Sequence, residues 1–439
     1  MANILKTHPS DWKYVSEGGA TIVLSYIGPS RIPFDGKVLR LRKSKRQHSE
    51  VVDPLLTFRD SRLHEEPDDP AVDFQLKCMA RLIPPEHLPK LETVLLDGHW
   101  LKELALLQDP HRPQSRRVED GIDLTRKNGV LATDLVGGNE LSVEIKPKWG
   151  FLPHPAHLSL DTGPIKSRTC RFCMYNHLRA QKGQILPMDY CPLDLFSGDI
   201  NRVSKAINNL WDSWSKSEGT INNLKIFARG KLLRPSQVNE MLSDPSDTSG
   251  SLDPIKSAFT SALLSCLMQT PALQILSKLQ RTLDILDIEG LSSLWRRTLL
   301  SHPSLGSESA PAIPLGVSSP FLSSPEPDII DWETFIDSFL SPFSSGLDHR
   351  QPKAENIRYY LLAYLLSATV KDCSIIVRTD LLQLGKTSSK CKNTDSVMVI
   401  DLDPKKMDKL NKWEKLDAEI VNAYSNNGGR KICIDAWRE

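Results

Sequence analysis

The chain has no surplus of charge of either sign: 55 Lys and Arg stand against 54 Asp and Glu over 439 residues, a formal net charge of +1. That balance excludes a uniformly basic nucleic-acid coat and leaves room only for local basic clefts. Long apolar runs are missing too; the longest, residues 359–370, is too short for a bilayer and reads as a buried helix. The first twelve residues hold no apolar stretch of signal-peptide length, being interrupted by Pro9 and Asp11. Eight cysteines scattered over this length make no disulfide framework, which points to a reducing, intracellular compartment, nucleus or cytoplasm. No internal repeat is visible. At 40% hydrophobic and 25% charged the composition is that of a soluble globular protein, expected as a monomer without membrane or nucleic-acid partners. The length exceeds one ordinary core and implies two lobes or a domain with large insertions.

What is present is a set of charged residues at strand ends and turns. Leu141-Ser142-Val143-Glu144-Ile145-Lys146 alternates as a strand does, and Pro147 removes a donor and ends the ladder. Lys146 and Lys148 therefore leave the strand end on one side, beside Glu144 and ahead of a sharp turn through Trp149-Gly150. Two cations beside a carboxylate suit an anion held together with metal or other cations. A solvated Lys-Pro-Lys edge that blunts aggregation is the plain alternative.

Upstream, Gly18-Gly19-Ala20-Thr21 runs into a β-branched strand. Glycines let backbone amides approach phosphates, although a plain hairpin turn has the same look. The next strand, residues 37–42, turns Leu39 and Leu41 one way and Arg40 and Arg42 the other. Turn, strand, then a strand bearing a cation is the order of a kinase small lobe. The basic run 42–46 reads as a solvated loop, with substrate attraction or nuclear import as alternatives. Residues 71–107 read as helical, at least in their second half, through Leu91, Val94, Leu95, Leu101, Leu104 and Leu107. Arg112, Arg116 and Arg117 share one loop, and guanidinium forks suit phosphate. Residues 129–135 read as the last strand of a small lobe before a hinge at Gly137-Gly138, with adenine pairing to backbone near Thr133, Asp134 and Leu135.

Further on, Cys170-x-x-Cys173 with His177 four residues later has the look of zinc ligation. With only one such pair, the fourth ligand has to be Cys191 or something remote, and structural zinc is the disfavoured reading. Residues 255–267 and 273–299 read as helical patches inside a variable region, 236–355, that holds a Ser/Pro-rich insertion at 301–327. The apolar helix 359–370 then ends at Lys371-Asp372. A carboxylate where a buried helix gives way to a strand is where kinases keep the group that accepts the hydroxyl proton, a helix cap being the alternative. Residues 397–403 form a buried strand that ends in Asp401 and Asp403, which suits Mg²⁺ held against nucleotide phosphates.

Glu144-Ile145-Lys146-Pro147-Lys148, with Gly150-Phe151-Leu152-Pro153 behind it, resembles the signature of the inositol-pentakisphosphate 2-kinases, a fungal member being expected. Five further blocks follow in order, so that the resemblance covers most of residues 12–230 and 356–426. It implies an α+β, two-lobed protein-kinase-like fold: a β-rich nucleotide-binding lobe, 1–136, and a larger lobe, 137–439, with the inositol site. The activity implied is transfer of phosphate from ATP, with Mg²⁺, to the 2-hydroxyl of inositol 1,3,4,5,6-pentakisphosphate. An inactive polyphosphate-binding scaffold is the alternative.

The resemblance also implies roles for single residues. Asp372, in Lys371-Asp372-Cys373-Ser374, matches the catalytic base. Gly18, Gly19, Ala20, Thr21, Arg40, Asp134, Glu144, Lys146 and Asp401 fall to the nucleotide, and Asp401 and Asp403 to the metal. Arg112 or Arg116, Lys148, Arg179, Asn222, Asn223, Lys405 and Lys409 fall to the substrate. Arg179 stands where the family has a lysine, on a helix where Tyr175 replaces a family histidine. Tyr190-Cys191-Pro192-Leu193-Asp194-Leu195-Phe196-Ser197-Gly198 repeats an architectural block, and Trp413 stands where plant members have a tyrosine. Plant members carry a zinc in a later insertion, and here that stretch has His302 without a cysteine nearby.

Overall fold

A computed structural model describes residues 2–46, 69–137, 141–184, 189–242, 253–301, 325–341, 346–379, 397–425 and 431–437. The Ser/Pro-rich stretch 302–324 and Gly138 lie outside the described residues. The architecture is α+β, in two compact units. The smaller takes residues 1–73, 89–140 and 229–231, and the larger takes 74–88, 141–228 and 232–439. Among the described residues no single helix is long and apolar enough to cross a membrane.

The smaller unit is built on seven strands: β1 (Ala2–Asn3), β2 (Trp12–Glu17), β3 (Thr21–Tyr26), β4 (Lys37–Lys45), β5 (Leu91–Leu95), β6 (Asp120–Ile122) and β7 (Asn128–Thr133). Their order is β1-β5-β7-β4-β3-β2, with β6 paired to β4. In β4 the two-residue period puts Leu39 and Leu41 into a core with Trp12, Ile22, Leu24, Phe34 and Leu131, and leaves Arg40 and Arg42 half-exposed. Helix Gly98–Gln108 covers this core. Asp97 caps it by accepting from the His99 and Trp100 amides at 3.0 and 2.9 Å, and Trp100, Leu101 and Leu104 face inward.

Three expectations fail here. Residues 91–95 are strand, not helix: Leu91, Val94 and Leu95 have helical spacing by coincidence, but β5 is an inner strand between β1 and β7, and Leu95 is exposed. The basic run 42–46 is no solvated loop. Lys43 continues β4 and is buried between Glu17 (3.1 Å) and Asp120 (2.8 Å), and Arg42 grips Asp69 with two bonds. Arg112, expected at the substrate, has a side chain only 1% exposed, committed to Glu17 (2.8 Å), Asp109 (3.1 Å) and Asp120 (2.6 Å). Arg112 alone reaches all three acids, and without its guanidinium the buried Glu17 and Asp120 have only Lys43 to share. Arg112→Ala is expected to destabilise by about 3–5 kcal/mol, read as a lowered denaturant midpoint.

The larger unit carries β8 (Leu141–Ile145), β9 (Leu224–Ala228), β10 (Lys231–Leu233), β11 (Ser374–Thr379) and β12 (Val397–Ile400), in the order β10-β9-β8-β11-β12. β8 is central and every residue of it is buried. Helix Ile357–Lys371 is apolar nearly all round, and packs with helices Asp253–Met268, Ala272–Leu283 and Asp287–Ser301 into one core. The patch 273–299 is thus two helices. They part at Asp284, which turns inward to an ion pair, and Asp287 follows at φ 60°.

Candidate active site

Strand register brings the predicted charges of the larger unit together. Ile375 of β11 pairs with Ile145 of β8, and Ser374 pairs with Ile400 of β12. One step beyond these pairs, Lys146, Ser374 and Asp401 therefore stand side by side at one edge of the sheet, with Asp372 just ahead of β11. The contacts follow that geometry. Lys146 Nζ lies 3.3 Å from Asp401 Oδ2, and Ser374 Oγ joins Asp401 (3.1 Å) to Glu144 (3.0 Å). Glu144 also pairs with Lys225 at 3.0 Å. Asp372 Oδ2 accepts from Lys405 at 2.9 Å, and Lys148 stands 3.7 Å from Oδ1.

The electrostatics are those of a crowded mixed cluster. Partial desolvation works against the charge on Asp372, yet Lys405, Lys148 and Lys146 hold its carboxyl below the ordinary carboxylate range. Burial likewise opposes charge on Lys146, but Asp401, Glu144 and Asp372 raise its affinity for the proton. Lys148 goes the other way: desolvation, with the repulsion of Lys146, outweighs Asp372 and lowers it.

Two residues here sit in the left-handed region, Lys148 at φ 68° and Asp401 at φ 61°. Non-glycine residues take this up only where the surroundings insist. For Lys148 the insistence comes from Gln280, a fully buried side chain of helix Ala272–Leu283. Its Nε2 donates to the carbonyls of Lys148 (3.1 Å) and Val370 (3.2 Å), and its Oε1 accepts from the Gly150 amide at 2.7 Å. Gly150 has to be glycine, because a Cβ there would enter the Phe196 ring. Tyr190 Oη donates to the Pro147 carbonyl at 2.8 Å. Asn223 exchanges bonds with the Lys146 backbone at 3.0 and 3.1 Å, so it holds Lys146 in place, whereas Asn222 is exposed.

A second, buried cation adjoins Asp372. Lys371 pairs with Asp284, and its ammonium lies over the rings of Trp149 (3.9 Å), Tyr364 (4.8 Å) and Phe151 (5.2 Å). Burial presses both partners toward their neutral forms, lowering Lys371 and raising Asp284, and each charge opposes that on the other. Sequence reasoning had no means of finding Gln280 or Asp284, which carry no motif. Lys371 was in view only as the neighbour of Asp372.

The other expected residues have partners of their own. Arg179, on helix Arg171–Gln181, stacks over Tyr175 (5.6 Å) and donates to Gln184 at 2.6 Å. Lys409 is exposed and pairs with Asp408 at 3.3 Å. Among the described residues neither has a hydrogen bond or ion pair to Lys146, Lys148 or Asp372. Asp403 offers its carbonyl to Thr369 Oγ1 at 3.3 Å. In the smaller unit Gly18 donates to Thr21 at 2.9 Å to close the β2–β3 turn, and a Cβ on Gly18 or Gly19 would meet nothing. Ala20 accepts from the Lys43 amide, and Arg40 lies between Val23 and Val130 in the register. Arg116 is half-buried. The Asp134 carboxylate accepts from Ser25 and from the Val136 and Gly137 amides. The N–H groups of Thr133 and Asp134, in the stretch expected near adenine, donate to the carbonyls of Lys90 and Gly36.

Comparison with known proteins adds to the geometry. A family model described as inositol-pentakisphosphate 2-kinase matches residues 14–419. An inositol-pentakisphosphate 2-kinase of Cryptococcus neoformans is 32% identical over 437 residues, covering 97% of this chain and 96% of the relative. One from Oryza sativa is 29% identical, covering 95% and 94%, and one from Danio rerio is 26% identical, again covering 95% and 94%. Matches of this length and strength leave one conclusion: the chain belongs to the inositol-pentakisphosphate 2-kinase family.

Proposed function

We propose that this chain transfers the γ-phosphoryl group of ATP to the 2-hydroxyl of inositol 1,3,4,5,6-pentakisphosphate, giving inositol hexakisphosphate. The observation that carries the reading is the Asp372 carboxylate set between Lys405 and Lys148, with Lys146 and Asp401 next along the same sheet edge. A carboxylate kept ionised among cations can accept or orient a hydroxyl proton. The lysines around it can hold phosphates. Family membership and the names of the relatives support the same reading.

The substrate brings roughly −8 to −10 charges at neutral pH, about −1.5 to −2 for each phosphate. On this reading Lys148, Lys405, Arg179, Lys409 and Arg116 are assigned to these phosphates as cations, Asn222 as a hydrogen-bonding group, and Asn223 as the brace of Lys146. The ion pairs Lys405–Asp372 and Lys148–Asp372 are more than half-exposed on the acid side, and pairs of that kind are worth about 0–1 kcal/mol. A phosphate can therefore take over the lysines and leave the carboxylate to the hydroxyl. Glu144, Asp401 and Asp403 are oxygen donors of the kind Mg²⁺ takes, and Asp401, with a half-exposed carboxylate, is its first ligand. The ion, when bound, offsets charge on the nucleotide phosphates. For the nucleotide the smaller unit offers the open turn from Gly18 to Thr21, together with Arg40 and Asp134.

The test is direct. Purified chain with ATP, Mg²⁺ and inositol 1,3,4,5,6-pentakisphosphate is expected to give inositol hexakisphosphate, and a panel of other inositol phosphates much less. Tight binding of the pentakisphosphate without product would replace this reading with that of an inactive scaffold.

A further inference from the structure

Helix Ala272–Leu283 carries two polar side chains that are all but sealed from water, Gln280 with no exposure and Ser277 with 2%. A buried amide is costly to leave unpaired, and that of Gln280 is used in three directions. Its Nε2 donates to the carbonyls of Lys148 (3.1 Å) and Val370 (3.2 Å), while its Oε1 accepts from the Gly150 amide (2.7 Å). One turn earlier, Ser277 Oγ donates to the Gly150 carbonyl at 3.0 Å. Val370 lies in the last turn of helix Ile357–Lys371, where carbonyls run out of partners within the helix, so Gln280 satisfies one that the helix leaves open.

Two segments far apart in sequence are thereby joined residue by residue. Lys148 is tied to Val370 through Gln280, and at the next position of each segment the Lys371 ammonium lies 3.9 Å from the centre of the Trp149 ring. One residue on, Asp372 Oδ1 stands 3.7 Å from Lys148 Nζ. Neither charged residue fixes that spacing by itself. The Asp372 side chain is 56% exposed, too open for the ion pair to hold itself, and Lys148 sits at φ 68°, a state that a non-glycine residue leaves unless it is held. We propose, as an inference resting on the function given above, that Gln280, backed by Ser277, is a positioning residue for phosphoryl transfer: it sets the Lys148 ammonium, assigned to a substrate phosphate, at a fixed spacing from the Asp372 carboxylate, assigned to the acceptor hydroxyl.

The chemistry of the amide suits the task, and that of its near relatives does not. An ionised glutamate has no hydrogens for the two carbonyls, methionine has the length without either polar end, and asparagine is one methylene short. A misplacement of about 1 Å at a group remote from the chemistry costs about 10²-fold in rate. Lys405 and Lys146 keep their own contacts with Asp372 and Asp401, so loss of the Gln280 amide disturbs the alignment of the substrate more than its binding.

The experiment is a double-variant cycle on the full chain, read as turnover of inositol 1,3,4,5,6-pentakisphosphate with ATP and Mg²⁺. Gln280→Met is expected to lower kcat by ~10²-fold and to leave KM for ATP unchanged. In a chain that already carries Lys148→Met, the same change is expected to cost no more than ~10-fold, because residues coupled through one backbone shift do not add. Mere loss of folded protein would multiply in full with the loss from Lys148→Met, so a purely structural role gives no such shortfall. Ser277→Ala removes one bond from the same loop and is expected to cost about 2–10-fold, shrinking likewise beside Lys148→Met; it gives the answer should Gln280→Met not fold. Full multiplication in the cycle, or parental kcat in Gln280→Met, overturns the positioning role and leaves the proposed function standing. A parent that makes no hexakisphosphate overturns both.

Discussion

Asp372→Asn is expected to lower kcat by ~10²–10⁴-fold, the range that a positioned proton acceptor contributes. The change keeps the shape of the side chain and removes its charge. Pentakisphosphate binding, measured by calorimetry, is expected to survive or to tighten, because the amide no longer competes for Lys405 and Lys148. The sign of the pH dependence follows from the same lysines. They hold the Asp372 carboxyl below its ordinary range, so the wild-type carboxylate stays ionised across the neutral region. Any loss of activity with an inflection near pH ~6 then belongs to the substrate phosphates, whose second ionisation falls there. An Asn variant with wild-type turnover would remove Asp372 from the proposed mechanism.

The second large effect is on stability. Asp284→Ala strands the ammonium of Lys371 among Trp149, Phe151 and Tyr364, where side-chain exposure is 2%, and is expected to cost about 3–5 kcal/mol. Denaturant melts followed by tryptophan fluorescence read it. The double variant Asp284→Ala/Lys371→Met removes the orphaned charge as well, and is expected to regain most of the loss, since the two groups are in contact and do not add. If the double variant is as unstable as the single one, the penalty comes from the space vacated and not from the unpaired cation. Because Lys371 is the residue before Asp372, the single variant is also expected to loosen the end of the helix that positions the proposed proton acceptor.

How much of this was legible in the sequence depended on where the charge lay. Lys146, Lys148, Asp372 and Asp401 are conspicuous as charges at the ends of apolar strands or helices, but a solvated edge or a helix cap fits that pattern too, and the resemblance to the family singled them out. Their meeting also needed only antiparallel pairing, which alternation and length already suggest. The Cys170-x-x-Cys173 pair was visible, but Cys433, whose sulfur lies within 4.8 Å of theirs and of that of Cys191, was not tied to it, because nothing local connects an isolated cysteine near one end of a chain to a helix in its middle. Gln280 was invisible for a different reason. An uncharged polar residue on an amphipathic helix looks like a solvated position until the carbonyls it serves are known. Arg112 was misjudged because a run of arginines looks like an anion site, and the buried Glu17, Asp109 and Asp120 that claim this one are spread along the sequence. Leucine spacing at 91–95 fits either a helix or a strand, and partners on both sides settle it as β5.

The larger unit draws on both early and late residues, and this bears on the order in which it can form during synthesis. His87 Nδ1 meets the Val397 carbonyl at 2.9 Å, and the Leu152 amide donates to Asp435 at 2.9 Å. While the ribosome is still making the middle of the chain, β8 has β9 on one side but lacks β11 on the other. Domains that fold as they emerge hide apolar surface early. This one leaves the β11 side of the fully buried strand β8 open long after its other neighbour, β9, has been made, so nascent chains stalled before residue 374 are the species that chaperones are expected to hold.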